Sequence, residues 1–293
     1  MVRPAALETR VVRIHLVFMP LIFIASLAAL FVAWVIAEPF LMERGRAKLR
    51  SRPFPEEWRE ILERRVPYAR LLPRDLRRQL EGHMQVFLAE KSFAGCGGLE
   101  MTDEVRVTIA AQACLLILNR KTDYYPSLTQ ILVYPGAFII ERLRAEPSGV
   151  LQEQRQALSG ESWTHGQVVL SWEDALEGAA VVDDGRNVVI HEFAHQLDQQ
   201  KGYANGAPWL GRRDRYARWS QVMLGEFAHL QQQAATGEPS LFSDYGASSP
   251  AEFFAVVSEV FFEQPREMAA LHPEMYAELR SFYRVDPATF RVE

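Results

Sequence analysis

The chain has 293 residues, of which 48% are hydrophobic and 24% charged, a balance that builds one large folded domain or two small ones and excludes a largely disordered protein. Its net charge is −5 and it has no basic stripe interleaved with aromatic residues, which excludes the electrostatic footprint of a nucleic-acid binder. Cys96 and Cys114 are its two cysteines; they have neither CxxC metal spacing nor the density of a disulfide framework, and read as reduced thiols.

After a short tail, 1–15, residues 16–37 form an uncharged apolar run interrupted by Pro20 and Ser26, with Trp34 near its far end. It is long enough to span a bilayer. It also exceeds the roughly 7–15 apolar residues of a cleavable signal, and Glu38-Pro39-Phe40 makes a poor cleavage site, so an uncleaved single-pass anchor is expected. Arg3, Arg10 and Arg13 precede the run, whereas Arg44, Arg46, Lys48, Arg50 and Arg52 follow it. The positive excess after the span predicts a cytoplasmic position for everything downstream.

A basic linker over 38–55 ends at Pro53-Phe54-Pro55, and 56–72 and 73–91 carry the apolar spacing of two helices. These belong to a helical N-terminal lobe, 56–120, which closes with an alanine-rich buried helix over 105–118. The rest of the folded domain, 121–293, starts with strands over 130–140 and 167–172, rich in β-branched and aromatic residues. The charged stretch 145–160 between them reads as a loop. Asp183-Asp184-Gly185 is a turn that supplies a capping carboxylate to a helix starting near Arg186. Helices over 212–235, 250–262 and 265–284 follow, separated by loops at 201–208 and 236–249. Strands before helices predict an α+β domain.

The chemistry concentrates in His191-Glu-Phe-Ala-His195, an HExxH motif flanked by Val188, Val189, Gln196 and Leu197. On a helix the two histidines stand one turn apart on one face, with Glu192 beside them, which is the minimum kit for zinc-assisted hydrolysis. A buried helix whose histidines merely satisfy hydrogen bonds is the alternative, but burying two imidazoles and a carboxylate without a strong partner is costly. A catalytic zinc takes three protein ligands, so a third must come from elsewhere. His15, His83, His165, His229 and His272 lack a ligand-like setting. The helix over 250–262 is apolar around most of its circumference yet carries Glu252 and Glu259 seven residues apart on one face, and either can meet the metal. Ser249-Pro250-Ala251-Glu252 also fits a capping box in which Glu252 turns back to the cap, and Glu259 also suits the role of hydrogen-bond partner to a ligand histidine.

The segments Ile131-Leu-Val-Tyr-Pro135, Ser159-Gly-Glu-Ser-Trp163, 188–198 and Ser249-Pro-Ala-Glu-Phe-Phe-Ala-Val-Val-Ser-Glu-Val-Phe-Phe262 together resemble the Mlc titration factor A family of zinc peptidases, in order over roughly 56–287. The resemblance implies a zincin-like catalytic domain of the gluzincin kind, similar to the catalytic core of anthrax lethal factor, holding one Zn2+. It implies His191, His195 and Glu252 as the metal ligands, the last being the glutamate of the Pro-Ala-Glu motif, and Tyr245, seven residues earlier, as part of the site. The N-terminal span is a departure from the soluble members of that family; the implied location is the bacterial inner membrane. The family name also implies a regulatory protein partner, a sugar-responsive transcriptional repressor, without marking a surface for it.

The expected reaction is hydrolysis of a peptide or protein substrate, including aminopeptidase action, with Glu192 as general base and Tyr245 donating to the oxyanion. Glu259 and Asp198, each seven residues from a candidate ligand on its helix, are expected to orient the histidines from behind, with a solvated helix face as the alternative for Asp198. The extended substrate is expected to add to a sheet edge, for which 167–171 is the candidate, with an internal strand of no substrate role as the equal alternative for that segment. The competing function is a membrane-tethered protein that captures a transcriptional regulator and keeps a structural or vestigial zinc site.

Overall fold

The computed structural model describes residues 5–145, 151–158, 160–163 and 166–291. The chain divides into two compact units, Met1–Arg52 and Pro53–Glu293.

The first unit is one helix, α1 (Ala5–Arg50), about 70 Å long at 1.5 Å per residue. It is long and apolar enough to cross a membrane. Among its described side chains the large apolar ones from Phe23 to Met42, such as Leu30, Phe31, Trp34 and Ile36, are exposed. The helix runs past the expected end of the span at 37 and through Pro39, so most of the expected basic linker is helical. Leu41, Met42, Glu43, Arg44, Ala47, Lys48 and Leu49 are strong helix formers, and they carry the helix onward.

The second unit is mostly helical around a small sheet. It opens with α2 (Glu56–Arg65), α3 (Tyr68–Leu71) and α4 (Arg74–Glu90); Pro67 breaks the first expected helix into two. Then come β1 (Ser92–Gly95), α5 (Asp103–Leu115) with Thr102 as N-cap, and β2 (Gln130–Tyr134), which Pro135 ends. Next are β3 (Phe138–Ala145), β4 (Leu151–Leu158), β5 (Gly160–Trp163) and β6 (Gln167–Ser171). The remainder is α6 (Trp172–Ala180), α7 (Val188–Asp198), α8 (Arg213–Thr236), α9 (Pro250–Glu263), α10 (Pro265–Leu271) and α11 (Pro273–Tyr283). Pro273 divides the closing helical segment in two.

Two expectations about strands are corrected. The presumed loop at 145–160 contains β4, which pairs antiparallel with β3 over eight residue pairs from Phe138 with Leu158 to Ala145 with Leu151. Its polar composition carries no strand signal; the pairing partner supplies the order. The main sheet has the order β1-β2-β6-β5, parallel except for the antiparallel β5. The candidate edge, 167–171, is an interior strand, bonded to β2 on one side and β5 on the other, which is the alternative reading of that segment. The run Val168, Val169, Leu170 is fully buried, the signature of a strand covered on both faces. Among the described residues the edge on that side is β5.

Helices α7 and α9 pack together in the core. Phe193 of α7 lies 4.9 Å from the Tyr125 ring and 5.7 Å from Phe87, centroid to centroid. From α9, Phe254 meets Trp219 and Phe282, and Phe261 stacks on Tyr283. This aromatic packing on the outward faces leaves the facing sides of α7 and α9 to their polar side chains.

Candidate metal centre

The position of α7 is set at its first turn. Asn187 is the N-cap, its Oδ1 accepting from the Ile190 N–H at 3.0 Å while its Nδ2 donates to the Gly178 carbonyl at 2.8 Å and to Glu263 at 3.1 Å. The helix thus begins at Val188 and not near Arg186; Asp184 instead accepts from the Arg186 N–H as part of the preceding turn. Asparagine immediately before an apolar run is a capping signal, and it is the sequence feature that locates this start.

One turn along, the His191 and His195 rings lie 5.0 Å apart and nearly perpendicular. Both present Nε2 to the same oxygen, Glu252 Oε2, at 3.1 Å and 3.3 Å. Donor atoms from these three residues all lie within 4.8 Å of one another. Two imidazoles and a carboxylate on arms of about 2.0–2.1 Å around a tetrahedral ion stand roughly 3.3 Å apart, so these residues fit a metal of that kind.

Both readings of the Ser249 box are partly realised. Ser249 caps α9 by accepting from the Glu252 N–H at 3.2 Å, with Pro250 at the first helical position. The Glu252 side chain, however, turns to the histidines rather than back to the cap. Glu259 takes the other role: Oε1 meets His191 Nδ1 at 2.7 Å and Oε2 accepts from the Asn187 N–H. One carboxylate thereby fixes both the ring of His191 and the start of its helix. Glu263, which the sequence reading omitted, holds Asn187 and the Arg186 N–H from the next turn of α9.

His191 has carboxylates on both ring nitrogens. Burial opposes its charge, but hydrogen bonds to Glu252 and Glu259 outweigh burial and raise its pKa to about 10. Burial likewise opposes ionisation of Glu252, and the bonds to His191 and His195 prevail, holding it well below the usual carboxylate range. Glu192 is buried, its Oε2 has no hydrogen-bond partner among the described residues, and burial foremost pushes its pKa up to about 7. Tyr245 is half exposed, with its ring 5.9 Å from that of His191.

Asp198 is buried and hydrogen-bonds neither histidine, so it takes neither the expected place behind the ligands nor the alternative solvated face. Its Oδ2 accepts from the backbone N–H groups of Asn205 and Gly206, each at 2.7 Å, because the carboxylate at the end of α7 turns into the following loop. His83 bonds Tyr124 and His272 pairs with Glu226, while His229 is exposed. The side chains of His15 and His165 lie outside the described residues.

The family described as glucose-regulated metallo-peptidase M90 matches residues 41–284. The chain belongs to this family. The M90 chain is also 34% identical over 210 residues to Mlc titration factor A of Klebsiella pneumoniae, covering 71% of this chain and 78% of that one. To Mlc titration factor A of Escherichia coli O7:K1 it is 31% identical over 233 residues, 78% and 86% of the two. An uncharacterized protein of Synechocystis sp. is 41% identical over 258 residues, 87% and 94% of the two. M90 membership makes the His-His-Glu cluster the candidate metal centre of a metallopeptidase.

Proposed function

We propose that the chain is a zinc-dependent peptidase in which His191, His195 and Glu252 hold the metal and Glu192 is the general base. The observation that carries this reading is the convergence of two imidazole Nε2 atoms on one Glu252 oxygen beside the buried, unpartnered Glu192 Oε2. His191, His195 and Glu252 would hold zinc, which when bound would supply Lewis acidity and lower the pKa of a water toward neutrality. Glu192 accepts the proton of the attacking water and delivers it to the leaving amine. Glu259 accepts from His191 Nδ1–H and so keeps Nε2 facing the metal. Tyr245 donates to the carbonyl oxygen as it becomes an oxyanion. The free edge of β5 receives the extended substrate as an added strand.

The surrounding domain is read as a gluzincin-type zincin, similar to the lethal factor core, with a helical N-terminal lobe over 56–120 and a catalytic core over 121–293. Its tether is α1, whose apolar stretch spans the bacterial inner membrane and leaves the peptidase in the cytoplasm; the support is the exposed apolar surface of α1 and the basic residues that follow it. The name of the Mlc titration factor A relatives favours a second role, binding a transcriptional regulator. Substituting Glu192→Gln separates the two. The peptidase reading expects zinc content to persist while hydrolysis falls by at least about 10²-fold, and full-rate hydrolysis by that variant contradicts it.

A further inference from the structure

Glu252 reaches the histidines because the first turn of α9 is held at a set distance from the end of α7, and the contacts that hold it run through the loop between α7 and α8. Asp198 lies three residues after His195 on the same helix and is buried. Its two bonds, to the Asn205 and Gly206 N–H groups, bring the loop back to the helix end. Gly206 has φ +78°, and a β-carbon there would stand 2.4 Å from the Pro250 carbonyl oxygen and 2.8 Å from its carbon. Backbone therefore presses directly on backbone, with no side chain between them to absorb a shift. Trp219 of α8 fixes the third side by donating from Nε1 to the Gly206 carbonyl at 3.0 Å. Pro250 is the first residue of α9, and Glu252 follows two residues later.

We propose that Asp198 and Gly206 are positioning residues for the metal site, setting the distance of Glu252 from His195 by clamping the start of α9 to the end of α7. The proposal rests on the zinc peptidase reading. It gives α9 two fixed points on α7, Glu259 at His191 and Asn187, and the Asp198 loop at Pro250. Close-packed interiors transmit displacement rather than absorb it. Metal distances tolerate only about 0.2 Å of error, so loosening the second point weakens the metal site without touching a ligand.

The test uses the full-length chain in detergent and measures zinc affinity by chelator competition, the visible absorption of the cobalt-substituted protein, and the melting temperature. Asp198→Ala is expected to weaken zinc binding about 10- to 100-fold and to shift the cobalt spectrum. Asp198→Asn keeps an acceptor oxygen and is expected to recover most of that loss. As a control, Glu226→Gln breaks the pair with His272 away from the clamp and is expected to leave zinc affinity unchanged whatever it does to the melting temperature. Wild-type zinc affinity and cobalt spectrum in Asp198→Ala overturn the proposal, even if that variant melts earlier. Should Asp198→Ala fail to fold, Trp219→Phe decides: it removes the bond to the Gly206 carbonyl together with part of the ring that packs on Phe254 and Phe282, and it is expected to weaken zinc in the same direction, so unchanged affinity overturns the proposal. Absence of stoichiometric zinc from the wild-type chain overturns the peptidase reading and this inference together, whereas normal zinc in the Asp198 variants overturns this inference alone.

Discussion

Helices α1 and α9 are both apolar around most of their circumference, and they have opposite surroundings. In α1 the described large apolar side chains, from Phe23 to Met42, are exposed, whereas in α9 Phe253, Phe254, Val257, Val260, Phe261 and Phe262 are almost completely buried. Their ionisable residues differ as well. Those of α9 sit inside the apolar surface, and Glu252, Glu259 and Glu263 each find a partner on α7 or its cap, while those of α1 flank its apolar stretch on both sides. Apolar content alone therefore does not distinguish a membrane helix from a core helix. The placement of charge within it does, because a buried carboxylate persists only where a partner or metal compensates it.

That contrast can be broken first by truncating one aromatic in each helix. Phe254→Ala is expected to cost the Pro53–Glu293 unit about 3–5 kcal/mol in denaturant unfolding, whereas Phe31→Ala leaves that unit's stability unchanged. Equal losses would deny the difference between the two helices. A charge in the middle of α1 has the next largest effect. Leu30→Arg costs insertion about 2.5–3.5 kcal/mol at a bilayer centre and is expected to move the protein from the membrane to the soluble fraction with its zinc site intact. Retention in the membrane at wild-type level would argue against the anchor. In α9, Glu259→Gln is expected to weaken zinc about 10- to 100-fold, since the amide holds His191 less firmly.

The smallest effect is on pH dependence. Burial foremost, with the nearby charges of Asp184 and Glu259, raises Glu263 to about 9 against the opposing bond from Asn187. The folded chain thus keeps this proton between about pH 4.5, the ordinary value of the group, and about pH 9, where the unfolded chain has lost it. Stability contributed by the protonated form is complete below that window and declines as pH rises through it. Glu263→Gln mimics the protonated acid, so the gap in unfolding free energy between variant and wild type should widen from pH 5 to pH 9. A constant gap would show that Glu263 does not hold its proton.

Much of the site was legible in the sequence because its elements are local. The spacing of His191 and His195 fixes their common face on any helix, and the buried carboxylates of α9 narrowed the third ligand to two residues. Periodicity alone left Glu252 and Glu259 open, since both lie on the face toward α7 and only the crossing of the helices decides which meets Nε2 and which meets Nδ1. The interior position of β6, the pairing of β3 with β4 and the bonding of Asp198 to the Asn205–Gly206 loop were not legible. Each depends on a segment distant in the chain or on a loop whose path no local pattern encodes.

The central claim, that the polar side of α9 exists to complete a catalytic zinc site on α7, is tested most directly by Glu192→Gln with zinc content and peptide hydrolysis measured on the same preparation. The account predicts one zinc per chain in both proteins and hydrolysis reduced at least about 10²-fold in the variant. Full-rate hydrolysis by a zinc-loaded variant, or a wild-type chain that binds no zinc, would contradict it.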